Sequence, residues 1–139
     1  MHYLLDVNVL VAWGWMDHAD HGRAAGWIGA MKAQRGVKFV TSAIPELGFV
    51  RVSVQRTGGR LPVGDAVATL SGMLSSLGKR HLFLPDDRSA VGQWPAWCAA
   101  ASRTTDAHLV DLAARHGMRL ATLDEGIPHA HLIPWPLSR

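Results

Sequence analysis

Tyr3-Leu4-Leu5-Asp6-Val7-Asn8-Val9-Leu10-Val11-Ala12 sets one acid inside an otherwise apolar run, and it limits the possible folds more than any other stretch. A run of about five to eight apolar residues reads as a buried strand. A carboxylate there is costly to desolvate unless the strand ends at it and a cation or partner is close. Asp6 is therefore predicted at the exposed C-terminal tip of the first strand. In open α/β sheets ligands bind outside the carboxyl ends of the strands, so the same run marks a place for chemistry.

Strands and helices alternate along the rest of the chain. From about Val9 to Ala33 the pattern is helical, interrupted by the capping turn Asp17-His18-Ala19-Asp20-His21-Gly22, with Ala24, Trp27, Ile28 and Met31 on one face. Val37 to Thr41 reads as a second strand. Ile44-Pro45 predicts Pro45 at the first position of a helix that carries Glu46 and continues to Val52. The glycines and proline of Arg56 to Pro62 make a loop, and Val63 to Leu77 is amphipathic with Gly78 as its stop. His81 to Pro85 is a third strand, while Asp86 to Ala101 reads equally as a helix or an irregular connection. Thr104-Thr105-Asp106 is expected to cap a helix ending at Gly117, before a fourth strand, Met118 to Leu123, that ends in Asp124. A last short strand is expected near Leu132-Ile133. This alternation argues for an α/β sandwich around a mainly parallel sheet.

The 139 residues contain no repeat, linker or low-complexity tract, so one domain over 1–139 is expected. Apolar residues at 48% and charged residues at 18% exclude a disordered chain. The single cysteine, Cys98, excludes an intramolecular disulfide and a multi-cysteine zinc site; it reads as a small buried hydrophobe in a reducing interior. The start MHYLLD has no signal-peptide pattern and no apolar run approaches the roughly 20 residues of a membrane span, which makes a cytoplasmic location the expectation. A net charge of +3 favours an anionic partner, nucleic acid being the usual one.

Four acids occupy related positions: Asp6 ends strand one, Glu46 opens the helix after strand two, Asp106 opens a later helix and Asp124 ends strand four. Strand C-termini and the helix starts that follow them face one rim of a parallel sheet, so the fold gathers residues far apart in sequence. Crowded carboxylates repel unless something positive stands between them. Hard divalent cations, Mg²⁺ or Mn²⁺, prefer all-oxygen sites and support water attack on phosphodiesters.

The segments LLDVNVLVA, H-A-D-H-x-x-A-x-x-W, I-P-E, TTDAHLVDLA and LATLDEG, in this order and spacing, resemble a PIN-domain endoribonuclease of the VapC toxin type over essentially the whole chain. The resemblance implies a PIN-like three-layer α/β/α sandwich with a mainly parallel sheet and Mg²⁺-dependent RNA cleavage, with Mn²⁺ as a possible substitute. It places the metal-binding, catalytic acids at Asp6, Glu46, Asp106 and Asp124, with Asn8 and Thr122 as supporting residues. It also implies a cognate antitoxin that covers the acidic groove, and a homodimer. Arg51, Arg56 and Arg60, after the Glu46 helix, form the nearest basic group for RNA phosphates.

Two other readings have some footing. Asp6-x-Asn8 is similar to the start of haloacid-dehalogenase phosphatases, although Asn8 stands where their second acid belongs. The domain could also bind RNA or a partner with its site dormant. Other residues carry less. Asp111 lies about 140° around the helix from Asp106 and is expected to face solvent. His18 and His21 belong to a capping turn, His129 and His131 lack further metal ligands, and Trp13, Trp15, Trp94 and Trp97 are assigned to packing or an oligomer interface.

Overall fold

A computed structural model describes residues 1–136. Its centre is a sheet of five parallel strands: β1 (His2–Leu5), β2 (Lys38–Thr41), β3 (His81–Phe83), β4 (Arg119–Thr122) and β5 (His131–Leu132). The spatial order is β3-β2-β1-β4-β5. Five helices cover it: α1 (Val7–Gly14), α2 (His21–Lys32), α3 (Ala43–Arg56), α4 (Val63–Leu77) and α5 (Thr104–Arg115).

Alternation along the central strands divides the core into two layers. Leu5, Phe39 and Ala121 point to one face, where they pack with Val9 and Leu10 of α1, Trp27 and Ile28 of α2, Phe49 of α3 and Leu70 of α4. Leu4, Val40 and Leu120 point to the other, against Leu109, Leu112 and Ala113 of α5. Neighbours on a strand face opposite sides, so both faces of the sheet are apolar and both need helices. The result is a PIN-like three-layer α/β/α sandwich.

The direction in which strands are added across the sheet reverses at β1, although β1 and β4 run parallel. From β1 the chain builds outward through β2 to β3, then crosses back to lay β4 on the other side of β1. Leu5 pairs with Ala121 across that boundary, and the Asp6 N–H donates to the Ala121 carbonyl at 3.0 Å. The crevice at the carboxyl ends of β1 and β4 is thus the switch point at which α/β sheets bind ligands.

Several local expectations are corrected. Asp6 does not stand at an exposed tip: it is only 5% exposed, because α1 starts at the very next residue and folds over the end of β1. Pro45 is the third residue of α3, not the first; Ser42 is the N-cap, and the first turn of a helix has no intrahelical use for the N–H that proline lacks. The Thr104-Thr105-Asp106 cap is also displaced. A 3₁₀ turn, Ala101–Arg103, leads into α5, Arg103 is the N-cap, and the Thr104 hydroxyl donates back to the Ala101 carbonyl at 2.8 Å. Residues 84–100 form an irregular connection, and Cys98 is half-exposed there instead of buried. Among the described residues no helix is long and apolar enough to cross a membrane.

Close packing of α1 on α3 aligns the first site residue. A Cβ added at Gly48 would come within 2.5 Å of Val7 Cγ2, immediately after Asp6. Gly48→Ala should therefore cost about 1–3 kcal/mol of stability through overpacking. Combined with Val7→Ala, it should lose less than the sum of the two single changes in urea unfolding; strict additivity would place the cost elsewhere.

Candidate active site

Asp6 is the N-cap of α1 and the last residue before the helix covers the strand. Its Oδ1 accepts the Val7 N–H at 2.7 Å, and its Oδ2 accepts the Thr122 hydroxyl at 2.8 Å. Thr122, fully buried at the end of β4, is the node of the site. Its oxygen also accepts from Asn8 Nδ2 at 3.1 Å and from the Asp124 N–H at 3.1 Å. Asn8 Oδ1 accepts the Leu123 N–H at 3.1 Å, so Asn8 is engaged through both ends of its amide and reaches Asp6 only through Thr122. These bonds fix the turn after β4 and with it the position of Asp124.

Asp106 enters from the first turn of α5. Arg103 Nη1 lies 3.5 Å from Asp106 Oδ2 and 3.4 Å from Asp124 Oδ2, bridging the two acids. Burial pushes the Asp6 carboxyl up to about 6; the Thr122 and Val7 hydrogen bonds oppose this, and the charges of Asp106 and Asp124 add to it. Asp106 is also raised, first by desolvation and then by Asp124, with Arg103 acting in the other direction. Three aspartates that influence one another share a single guanidinium, which leaves a surplus of negative charge when all are ionised. Their hard oxygen donors suit a divalent ion such as Mg²⁺ or Mn²⁺. As the side chains stand, with Arg103 between two of them, no three acid, histidine or cysteine groups among the described residues are gathered closely enough to hold one.

Glu46 does not join this group. Its carboxylate accepts the Thr41 hydroxyl at 2.6 Å, and Thr41 in turn is 2.7 Å from His81 Nε2. It lines a separate cavity of about 420 Å³ between α3, α4 and β3. The α3 residues that do face the aspartates are Arg51 and Val52, roughly 140° and 120° around the helix from Glu46. With Asp6, Asn8, His18, Thr105 and Asp106, Arg51 borders a groove of about 400 Å³. Arg56 is committed elsewhere, paired with Asp17 at 2.9 Å and lying over the Trp15 ring, and Arg60 donates to the Thr57 carbonyl in its own turn. Only one of the three expected RNA-binding arginines therefore reaches the groove.

A further cavity of about 740 Å³ lies between α5 and residues 88–97, and its charged groups are largely paired internally: Arg88 with Asp111 at 2.5 Å, and His108 with Asp86 at 2.7 Å. Asp111 thus takes part in surface ion pairs with Arg88 and Arg115 and stays out of the acid cluster. Sequence reasoning missed Arg103 and Thr105. The signal for Arg103 was a cation three residues before Asp106, the spacing at which helical side chains meet.

A parallel sheet with three aspartates at its switch point defines a PIN-like domain with an acidic crevice. The chain belongs to the VapC ribonuclease family. It is 38% identical to Ribonuclease VapC39 of Mycobacterium tuberculosis over 132 residues, 91% of each chain. It is 37% identical to Ribonuclease VapC38 of that organism over 126 residues, 89% of this chain and 86% of the relative. Identity to its Ribonuclease VapC29 is 34% over 131 residues, 94% and 92% of the two chains. No family model matches the chain.

The sign of the Asp6 shift fixes a pH dependence. Its folded value, about 6, lies above the ordinary 3.8, so folding favours the protonated form. The Asp6 contribution is therefore most favourable below pH 4 and is lost as pH rises toward 6. Asp6→Asn should be more stable than the parent at pH 7 by something on the order of 1–3 kcal/mol, and the gain should vanish at pH 4. Thermal melts at both pH values check this; a gain that is larger at pH 4 would contradict the sign.

Proposed function

We propose that the protein is a Mg²⁺-dependent endoribonuclease, with Mn²⁺ able to substitute, and the toxin component of a toxin–antitoxin pair. The observation that carries this reading is the convergence of Asp6, Asp106 and Asp124 at the carboxyl ends of β1 and β4. Its support from outside the chain is the name ribonuclease borne by relatives that align over about nine-tenths of their length. Asp6, Asp106 and Asp124 would hold the ion; Glu46, tied to Thr41, has no part in that group as placed. When bound, a divalent cation supplies Lewis acidity toward a phosphodiester and eases loss of a proton from water.

The chain's own residues supply the rest. Thr122 and the Val7 N–H hold both Asp6 oxygens in fixed directions. Arg51, exposed on the groove wall, offers a cation to a phosphate beside the acids, and His18 and Thr105 supply further polar edges. An Asp6 nucleophile, as in a haloacid-dehalogenase phosphatase, is disfavoured, because both its oxygens are already engaged and Asn8 is an amide locked to Thr122 and Leu123. A cognate antitoxin would be expected to cover this groove. Exposed Leu47, Val63 and Val67 on α3 and α4 offer apolar surface to a second copy, in keeping with a homodimer.

Incubation of the purified protein with a total-RNA pool tests the reading directly. Cleavage should stop in EDTA and return with Mg²⁺ or Mn²⁺; undiminished cleavage in chelator would falsify it. Asp6→Asn, Asp106→Asn and Asp124→Asn should each abolish cleavage while remaining folded, and Glu46→Gln should retain far more activity than any of them.

Binding separates the arginines. With Asp106→Asn protein and single-stranded RNA, replacing Arg51 should flatten the slope of log affinity against log salt by about 0.7, the value of one phosphate contact. Replacing Arg56 and Arg60 should change it much less. Equal effects from all three positions would mean that the RNA runs over the end of α3 and not through the groove.

A further inference from the structure

We propose that Arg103 is an internal counter-cation of the acid site, occupying the space between Asp106 and Asp124 and competing there with the divalent ion. The inference rests on the reading that the aspartates hold such an ion, and adds to it a residue that sets how readily the ion enters.

The first observation is the bridge. One guanidinium nitrogen faces an oxygen of each acid, at 3.5 and 3.4 Å. Those lengths are at the outer limit of hydrogen bonding, so charge and not tight geometry holds the group in place. The Arg103 side chain is one-third exposed, which leaves it a way out into solvent. A cation on a long side chain relieves repulsion between two carboxylates and can still swing aside.

The second observation is independent of the acids. Gly126 has no positive φ that would demand glycine, and its N–H bond to Asp124 Oδ1, 2.8 Å, is one any residue but proline makes. A Cβ at that position, however, would run into the Arg103 guanidinium. Glycine at 126 leaves a berth for this side chain, and a methyl there would displace its flexible end. In the neighbouring stretch Leu123-Asp124-Glu125 every residue is large, so the gap falls where the guanidinium lies.

Two consequences follow. Without metal, Arg103 ties the start of α5 to the turn after β4 and keeps Asp106 and Asp124 in register. An ion held by Asp106 and Asp124 would repel the guanidinium between them, so Arg103 would have to swing out. Arg103 thus raises the concentration of cation at which the site fills.

Mn²⁺ uptake by the purified full-length protein, read from the electron paramagnetic resonance of free Mn²⁺ and repeated by calorimetry, tests the competition without an activity assay. Two partly exposed ion pairs are each worth at most a few-fold in an equilibrium, so Arg103→Gln should bind Mn²⁺ about three- to tenfold more tightly than the parent. In EDTA it should melt at a lower temperature, and the deficit should close when Mn²⁺ is added. Gly126→Ala keeps the charge but fills the berth, so it should shift Mn²⁺ affinity in the same direction; it also serves as the test if Arg103→Gln does not fold. Equal or weaker Mn²⁺ binding by a folded Arg103→Gln or Gly126→Ala protein overturns the competition while leaving the metal site standing. Absence of any Mn²⁺ uptake by the parent overturns the metal reading itself, and the competition with it.

Discussion

Burial of the Asp6 carboxylate at the end of the central strand is the constraint on which the site's construction depends. A charge in that position is costly, and the fold offsets part of the cost with one neutral hydroxyl and one backbone N–H rather than a salt bridge, leaving the carboxyl raised to about 6. The hydroxyl is Thr122, which lies on β4, so β4 must be the neighbour of β1 for Asp6 to be satisfied. Strand order, the tight turn into α1 and the placement of Asp124 are thus three aspects of one requirement. Thr122 transmits it, since the same oxygen that serves Asp6 also receives the Asp124 N–H.

Charge is distributed unevenly around that point. The protein is basic overall, yet three acids with one arginine among them occupy its switch-point crevice. Such a surface attracts a polyanion at long range and resists it at close range until a cation enters. Arg51 on the groove wall and Arg103 between the acids stand on opposite sides of that balance. Much of the remaining basic charge is tied to local partners, as with Arg56 and Asp17 or Arg88 and Asp111. A count of arginines near an active site therefore says less than where each guanidinium is already spent.

The fold was largely legible in the sequence, and the reasons are physical. Leu4, Leu5, Phe39, Val40, Leu120 and Ala121 sit in strands covered on both faces, so their runs are apolar without a break. The helix Val63–Leu77 was legible to both ends because a proline precedes it and a positive-φ glycine follows it. The acids of β1 and β4 were legible for the opposite reason, as polar residues where an apolar pattern stops. Glu46 shows the limit: its place in the chain is right for the rim, but a helix turns about 100° per residue, and its side chain faces β3 instead of β1. Arg103 carried only its spacing of three residues from Asp106 as a signal, because the 3₁₀ turn that aims it there has no periodicity of its own. The charge of Arg51 could be read from sequence, whereas its separation in role from Arg56 depends on rotation about α3, and from Arg60 on the turn that follows the helix.

The pairing of β1 with β4 also has a bearing on when the crevice comes into being. Tyr3 to Leu5 are made more than a hundred residues before their partners Arg119 to Ala121. Asp6 has no Thr122 to bind, and no Asp106 or Asp124 beside it, until more than a hundred further residues have been made. Chains grow from the N-terminus, and distant pairings form late. A nascent chain can therefore pack α1–α4 against β1–β3 and still lack both the Ala121 edge of that layer and the acidic pocket until β4 has cleared the ribosome.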